Sequence, residues 1–408
     1  LDGVTGVQTC ALPISSDEWD SYALVFRAAC LLHDCAHSPF SHTFEHFYDY
    51  SHSPKTPSRL ESPLLKAAAN ASFASDFKDA AASKPSPHEK ASALMVLTYF
   101  RDALISLHIE PVLVARMILG CTHLGTLTDQ QRLENCLISL LNGVAIDVDK
   151  LDYILRDTWA SGINNVSIDI HRLLSSFTYH PPQGKLAFKK NALSVLQSVV
   201  DARNYLYRWV FGHHKVVYNQ YLLRTSVNAL AEILGPSKDQ FLSKVFSVDA
   251  LQKPIAIGGQ TFYLPTDNDI LFLLKSKHKE IPEAQELLFR SHARKPLWKS
   301  ATEFGRIFHL RSPRDRILVE SRAKEAVSDM LAGTDKKLGV VVEPIPQKFV
   351  TISLSDIHVI IDNAAHSYTD LFPSSRPVTE ENAFYVYVPV HASSRRGEFV
   401  EQLLKITS

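Results

Sequence analysis

Leu31-Leu32-His33-Asp34-Cys35-Ala36-His37-Ser38-Pro39-Phe40-Ser41-His42 decides how this chain is read. Upstream, Trp19, Tyr22, Leu24, Val25, Ala28, Leu31 and Leu32 form one broad apolar face at helical spacing. That helix runs into the His33-Asp34 pair, and Pro39 stops or bends it just beyond. Much further along, Asp147-Val148-Asp149-Lys150-Leu151-Asp152-Tyr153 sets a second acidic cluster among apolar positions. Groups that are costly to bury thus stand twice against hydrophobic segments. A metal held between two helices and facing a phosphate ester accounts for both. Imidazole plus carboxylate suits Mn, Fe, Ni, Co or Zn better than a purely hard Mg site, with Mg kept as an option.

The 408 residues are enough for a large helical core and smaller domains. The formal net charge of zero removes any global argument for nucleic acid, although a local basic pocket stays open. Cys10, Cys30, Cys35, Cys121 and Cys136 form no CxxC pair, so neither a structural zinc site nor a disulfide scaffold is indicated. A reducing cytoplasm is the expected compartment. No apolar run reaches the length that spans a bilayer, so no membrane partner is expected. The stretch Gly3 to Ser15 resembles a translated adapter or assembly scar, so 1–16 is taken as an artefactual or disordered leader.

The fold class expected is mainly α, with a helical core over 17–240, a helical extension with a strand and turn element over 241–335, and a smaller α+β domain over 336–408. Helical patterns cover Leu60 to Ala82, His88 to Leu107, Glu110 to Cys121, Arg132 to Asn142, and one long run from Ala192 to Lys215. Asp147 is placed to cap a helix through Thr158, with Lys150 at its third position. Gly258-Gly259 marks a hairpin, and Pro181-Pro182-Gln183-Gly184 a turn. Strand-like runs follow at Val340 to Pro344, Phe349 to Leu354, Val359 to Asn363 and Ala383 to Val390.

His37 follows His33 at i+4, and His42 and Glu45 lie past the Pro39 bend. Histidines titrate near neutrality, so they suit proton donation to a leaving oxygen. The bland alternative is a histidine-rich helix end with ordinary hydrogen bonds. Asp149, Tyr153 and Asp157 are spaced i, i+4, i+8 and form one stripe, either a pocket wall or a solvated charged face. Lys150, on an adjacent face, could reach a phosphate as a point charge. His88-Glu89 opens a helix behind a Pro-rich loop, as a proton donor with an orienting carboxylate or as a simple first-turn acid. Arg203 to Lys215, with Arg208 and His213, closes over a polyphosphate or is an amphipathic helix with snorkelling arginines.

Together, His33 to Glu45, Ser86-Pro87-His88-Glu89-Lys90 and Asp147 to Asp157 resemble HD-domain phosphohydrolases of the deoxynucleoside triphosphate triphosphohydrolase branch. Ala36 stands where that branch usually has glycine. The resemblance implies that His33, Asp34 and Asp149 ligate one divalent metal. It implies an acid–base and orienting set of His37, His88, Glu45 and Glu89. His42 and Lys150 would lie near the phosphates, Tyr153 and Asp157 near the deoxyribose, and Arg208 and His213 on the substrate side. The implied reaction converts a deoxynucleoside triphosphate to a deoxynucleoside and triphosphate, in a homo-oligomer. The family's further histidine ligand belongs to an Arg-Phe-x-His segment before the His-Asp pair. No histidine precedes His33 in this sequence, which implies weakened metal retention. A nucleotide phosphodiesterase or phosphomonoesterase is the alternative enzyme, and a nucleotide-binding regulatory protein with a vestigial site the alternative of another class.

Overall fold

A computed structural model describes residues 16–50, 58–79, 85–143, 146–163, 167–180, 185–235, 238–257, 259–308, 313–345, 356–362, 364–372 and 383–406. The fold is mainly α with smaller α+β parts, as expected from the sequence. The expected leader, the Pro181–Gly184 turn and the run Phe349 to Leu354 lie outside the described residues. Packing divides the chain into two units, drawn from Leu1–Ala202, Ala231–Ile270 and Thr351–Arg376, and from Arg203–Leu230, Leu271–Val350 and Pro377–Ser408.

The first unit is built on five helices: α1 (Ser16–Leu32), α2 (Pro87–Thr98), α3 (Pro111–Leu119), α4 (Asp129–Leu141) and α5 (Val148–Ala160). Every residue of α3 is buried, and α2 is buried at His88 and from Lys90 to Leu97. α3 therefore serves as the central post, packed by α1, α2 and α4. Each of these starts follows from local chemistry. Pro87 and a Ser86/Glu89 capping box start α2, Pro111 with the Glu110 carboxylate starts α3, and a Thr128/Gln131 box starts α4. Asp147 caps α5 by accepting from the Lys150 N–H at 2.8 Å, as its position in the sequence predicts.

Three expected helices are interrupted, each for a visible reason. Leu60 to Ala82 becomes Glu61–Ala68 and Ala71–Asp79, because Ala69 takes φ 48 and Asn70 Oδ1 starts a new helix by accepting from the Phe73 N–H at 2.9 Å. His88 to Leu107 divides after Thr98, where the Tyr99 and Phe100 N–H groups both turn to the Met95 carbonyl. Ala192 to Lys215 widens into a π turn over Tyr207–Phe211 and stops at Gly212. There the Gly212 N–H reaches the Tyr207 carbonyl at 2.8 Å, and a Cβ would sit 2.7 Å from that oxygen.

Strands β1 (Phe177–His180) and β2 (Lys185–Lys189) form an antiparallel pair in the first unit. A hairpin of β3 (Ile255–Ile257) and β4 (Gln260–Phe262) turns through Gly259 at φ 81. In the second unit, β5 (Arg294–Pro296), β6 (Val341–Pro344) and β9 (Phe384–Pro389) give a sheet of order β5-β9-β6. β7 (His358–Ile361) and β8 (Ala364–Ser367) instead extend the first unit's sheet, with Phe188 opposite Val359 in a parallel pairing. The β-rich runs after residue 336 are thus shared between two sheets. β9 is buried along its whole length, and Trp298, Phe304, Phe308 and Phe384 pack as an aromatic cluster beside it.

Candidate metal centre

The final turn of α1 delivers the His-Asp pair. The His33 N–H still bonds the Ala29 carbonyl at 2.9 Å, so the helix carries His33 in its own geometry. His33 Nδ1 lies 2.8 Å from the Cys30 carbonyl. A bond there makes Nδ1 the donor and leaves Nε2 as the outward nitrogen. Nε2 is buried and, among the described residues, has no hydrogen-bond partner. It stands 3.4 Å from Asp34 Oδ2 and 3.4 Å from Asp149 Oδ1. Asp149 comes from the first turn of α5, so two helices far apart in sequence converge on one point.

Burial alone would lower the His33 imidazole; the Asp149 contact, Asp34 and the Cys30 carbonyl outweigh it and raise it to about 9. Burial would raise Asp34, but His37, His33 and His88 hold it down at about 2. An imidazole nitrogen set between two carboxylates suits a divalent cation. Ligand atoms of His33, Asp34 and Asp149 all lie within 4.8 Å of one another.

Beside this point the second half of the motif folds back. Phe40 and Ser41 take φ 60 and 52, a costly conformation for residues with a Cβ. The turn is tied down by the Ser38 hydroxyl, which donates to the Ser41 carbonyl at 2.8 Å. Asp267 Oδ1 accepts from the Phe40 N–H at 2.8 Å. Ala36 is fully buried and its N–H donates to the Ser92 hydroxyl at 3.1 Å. The result is three histidines gathered within a few ångströms. His37 Nε2 lies 3.4 Å from Asp34 Oδ1, and its ring stacks on His88 at 4.0 Å. His88 Nδ1 meets Glu45 Oε2 at 2.6 Å, and His42 Nδ1 meets Glu45 Oε1 at 3.0 Å. Burial works against the Glu45 charge, yet these two imidazoles hold its carboxyl well below the usual range. His88 Nε2 lies 3.3 Å from the Ser86 hydroxyl and 3.9 Å from Asp34 Oδ1.

The other expected site residues fall elsewhere. Glu89 does not orient His88: one oxygen accepts from the Ser86 N–H at 2.5 Å and the other from Asn142 at 2.9 Å. Glu45 takes the place beside the ring. The Lys150 ammonium is turned to the Gly143 carbonyl at 2.8 Å and to Asp147 Oδ2. Burial pushes Asp147 up to about 6 against the pull of Lys150. Tyr153 and Asp157 are half-buried on the Asp149 stripe, flanking the buried residues Leu151, Ile154 and Thr158. Asp157 Oδ1 lies 3.3 Å from Arg156 Nε.

Arg208 and His213 belong to the second unit. Arg208 is exposed in the π turn, and His213 Nδ1 accepts from the Lys215 N–H at 3.2 Å. The Cys30 carbonyl and Ser92 carry no signal in the sequence. Asp267 stands in the run Asp267-Asn268-Asp269-Ile270, which fits the same resemblance more weakly.

No family model matches the chain. Among curated relatives, the uncharacterized protein MG461 of Mycoplasma genitalium is 22% identical over 239 residues, covering 56% of this chain and 46% of its own length. Its homolog in Mycoplasma pneumoniae is 22% identical over 187 residues, 45% of this chain and 36% of that protein. The uncharacterized protein MJ1154 of Methanocaldococcus jannaschii is 33% identical over 73 residues, 17% of this chain and 16% of its own. The chain thus spans less than half the length of these relatives.

Solved structures match more completely. A hypothetical protein from Aquifex aeolicus superposes with a TM-score of 0.58 at 16% identity, covering 97% of this chain and 84% of that one. A phosphohydrolase from Bacteroides thetaiotaomicron gives 0.57 at 16% identity, with 95% and 84% covered. The fold is therefore one that this chain shares with a phosphohydrolase.

Proposed function

We propose that the chain is a metal-dependent phosphohydrolase of the HD type, acting on deoxynucleoside triphosphates. The observation that carries the reading is the buried, unbonded His33 Nε2 between Asp34 and Asp149, next to the Glu45-tied His88. His33, Asp34 and Asp149 would hold one divalent ion. When bound, such an ion supplies Lewis-acid polarisation of a phosphoryl oxygen and acidifies an attacking water.

The chain's own residues supply the rest. Glu45 meets His88 Nδ1 and orients the ring so that Nε2 can serve as donor on the site side. Water adds to the α-phosphorus and gives up one proton to solvent, the bond from phosphorus to the 5′ oxygen breaks, and His88 gives its proton to that oxygen and regains one from solvent. The products are a deoxynucleoside and triphosphate. His37, stacked on His88, keeps that ring from turning away. His42 shares Glu45 and presents a second imidazole to phosphate charge. Tyr153 and Asp157 would line the sugar side. A cytoplasmic homo-oligomer is part of the same reading.

One observation favours a second reading. The Lys150 ammonium is occupied by Asp147 and Gly143, which leaves less positive charge on α5 for a triphosphate. A nucleotide phosphodiester or phosphomonoester needs less. Metal analysis combined with a panel of dNTPs, nucleoside monophosphates and a phosphodiester decides between them. Release of inorganic triphosphate supports the first reading. Turnover of the mono- or diester alone supports the second, and nucleotide binding without turnover overturns both.

A further inference from the structure

Glu45 and Asp49 bracket the short helix His46–Asp49, and both reach the start of α2. Glu45 meets His88, while Asp49 Oδ2 accepts from Lys90 Nζ at 2.8 Å. Side chains two positions apart on a helix diverge by about 200°. The two contacts therefore grip the first turn of α2 from two sides. The first opens on the candidate site. The second is dry: Asp49 is 0% and Lys90 5% exposed. Asp49 Oδ1 also accepts from the Leu60 N–H at 3.1 Å and from the Ser58 hydroxyl, and Lys90 reaches Glu61 Oε1 at 3.1 Å.

Burying two opposite charges adds little net stability, because desolvation cancels most of the attraction. An apolar pair of similar volume would fill the space as well. An ion pair does impose a fixed distance and direction that an apolar contact does not. We infer that Lys90 and Asp49 are positioning residues that set the register of His46–Asp49 against α2 and so hold Glu45 on His88 Nδ1. Any effect on turnover rests on the phosphohydrolase reading; the effect on the Glu45–His88 contact does not.

The test uses the full chain with nitrogen-15-labelled histidine, His88 being assigned from its loss in His88→Gln. The key variant is Lys90→Met with Asp49→Asn, which removes both charges and keeps the acceptor for Leu60. The His88 imidazole signals should lose their Glu45-bonded pattern. Glu61→Gln, which removes only the outer partner, should leave that pattern as in wild type. Mn²⁺ affinity should stay within about twofold, while kcat on dGTP falls about tenfold to a hundredfold at unchanged KM, as for a displaced proton donor. An unaltered His88 pattern in the double variant overturns the inference. If that variant does not fold, Lys90→Arg decides by the same signals, because a longer, planar cation must change the register. Wild-type protein that binds no Mn²⁺ defeats the phosphohydrolase reading alone, and the imidazole signals still judge the clamp.

Discussion

His33 Nε2 and Asp149 Oδ1 stand 3.4 Å apart, although one closes α1 and the other opens α5. Asp34 Oδ2 lies at the same distance, that nitrogen has no hydrogen-bond partner among the described residues, and the opposite ring nitrogen is engaged by Cys30. The relationship gives the first unit a cation-sized meeting point at the joint of two helices. Both carboxylates there stay partly open to solvent, so a ligand could reach them.

Metal binding should expel a proton. In chelator-treated protein the His33 imidazole, raised to about 9 from 6.5, is protonated at neutral pH. A raised histidine stabilises the fold below its unfolded value and loses that contribution as pH climbs through about 9. A metal ion must displace the proton, so Mn²⁺ titrated calorimetrically at pH 7.5 in two buffers of different ionisation enthalpy should release roughly one proton. Heats that do not depend on the buffer would refute this.

Glu45→Gln should leave metal content intact and lower kcat by about 10²- to 10³-fold, because the acid–base histidine loses its counter-charge. Glu45 itself stays ionised in mild acid. Its folded pKa lies below the ordinary 4.5, so its stabilising contribution is present above that value and lost only as pH falls well beneath it. A pH–rate profile of the wild type should therefore show no limb from Glu45 between pH 5 and 7, and one that vanishes in Glu45→Gln would contradict the assignment.

Lys150→Met should act on stability more than on substrate. It strands the buried Asp147 carboxylate, at a cost of about 3 kcal/mol in denaturant unfolding. Adding Asp147→Asn should recover most of that loss while KM for a triphosphate stays unchanged. A KM that rises with Lys150→Met and is not restored in the double variant would place Lys150 on the substrate instead.

In the second unit, burial and then His213 push His214 down to about 4, against the pull of the Lys299 carbonyl. A depressed histidine resists protonation in the fold, so stability should fall as pH drops from about 6.5 towards 4. His214→Asn should flatten that slope in thermal melts taken across the interval. An identical slope would show that other groups carry it.

Spacing made part of this legible. The Asp147 cap, the Pro87 and Pro111 helix starts and the strand-like texture near β9 follow from local rules, and the structure carries them out. The pairing of His33 with Asp149 was reached through motif resemblance, because no local rule brings distant helices together. Glu89 and Lys150 were misplaced for one shared reason. Each type has two competing tasks, helix capping or ligand contact, and only the neighbouring Ser86, Asn142 and Asp147 decide between them. The helix breaks at Ala69 and Phe100 leave no glycine or proline to mark them, whereas the strain at Phe40 is paired with Asp267 from far along the chain.

Metal content of the reconstituted full chain, measured alongside Asp149→Asn, tests the account most directly. Equilibrium dialysis against saturating Mn²⁺ followed by elemental analysis should give close to one ion per wild-type chain, and at least a roughly 100-fold weaker affinity in the variant, with the fold unchanged by circular dichroism. A wild-type chain that retains no ion, or a variant that binds as tightly as the wild type, would contradict it.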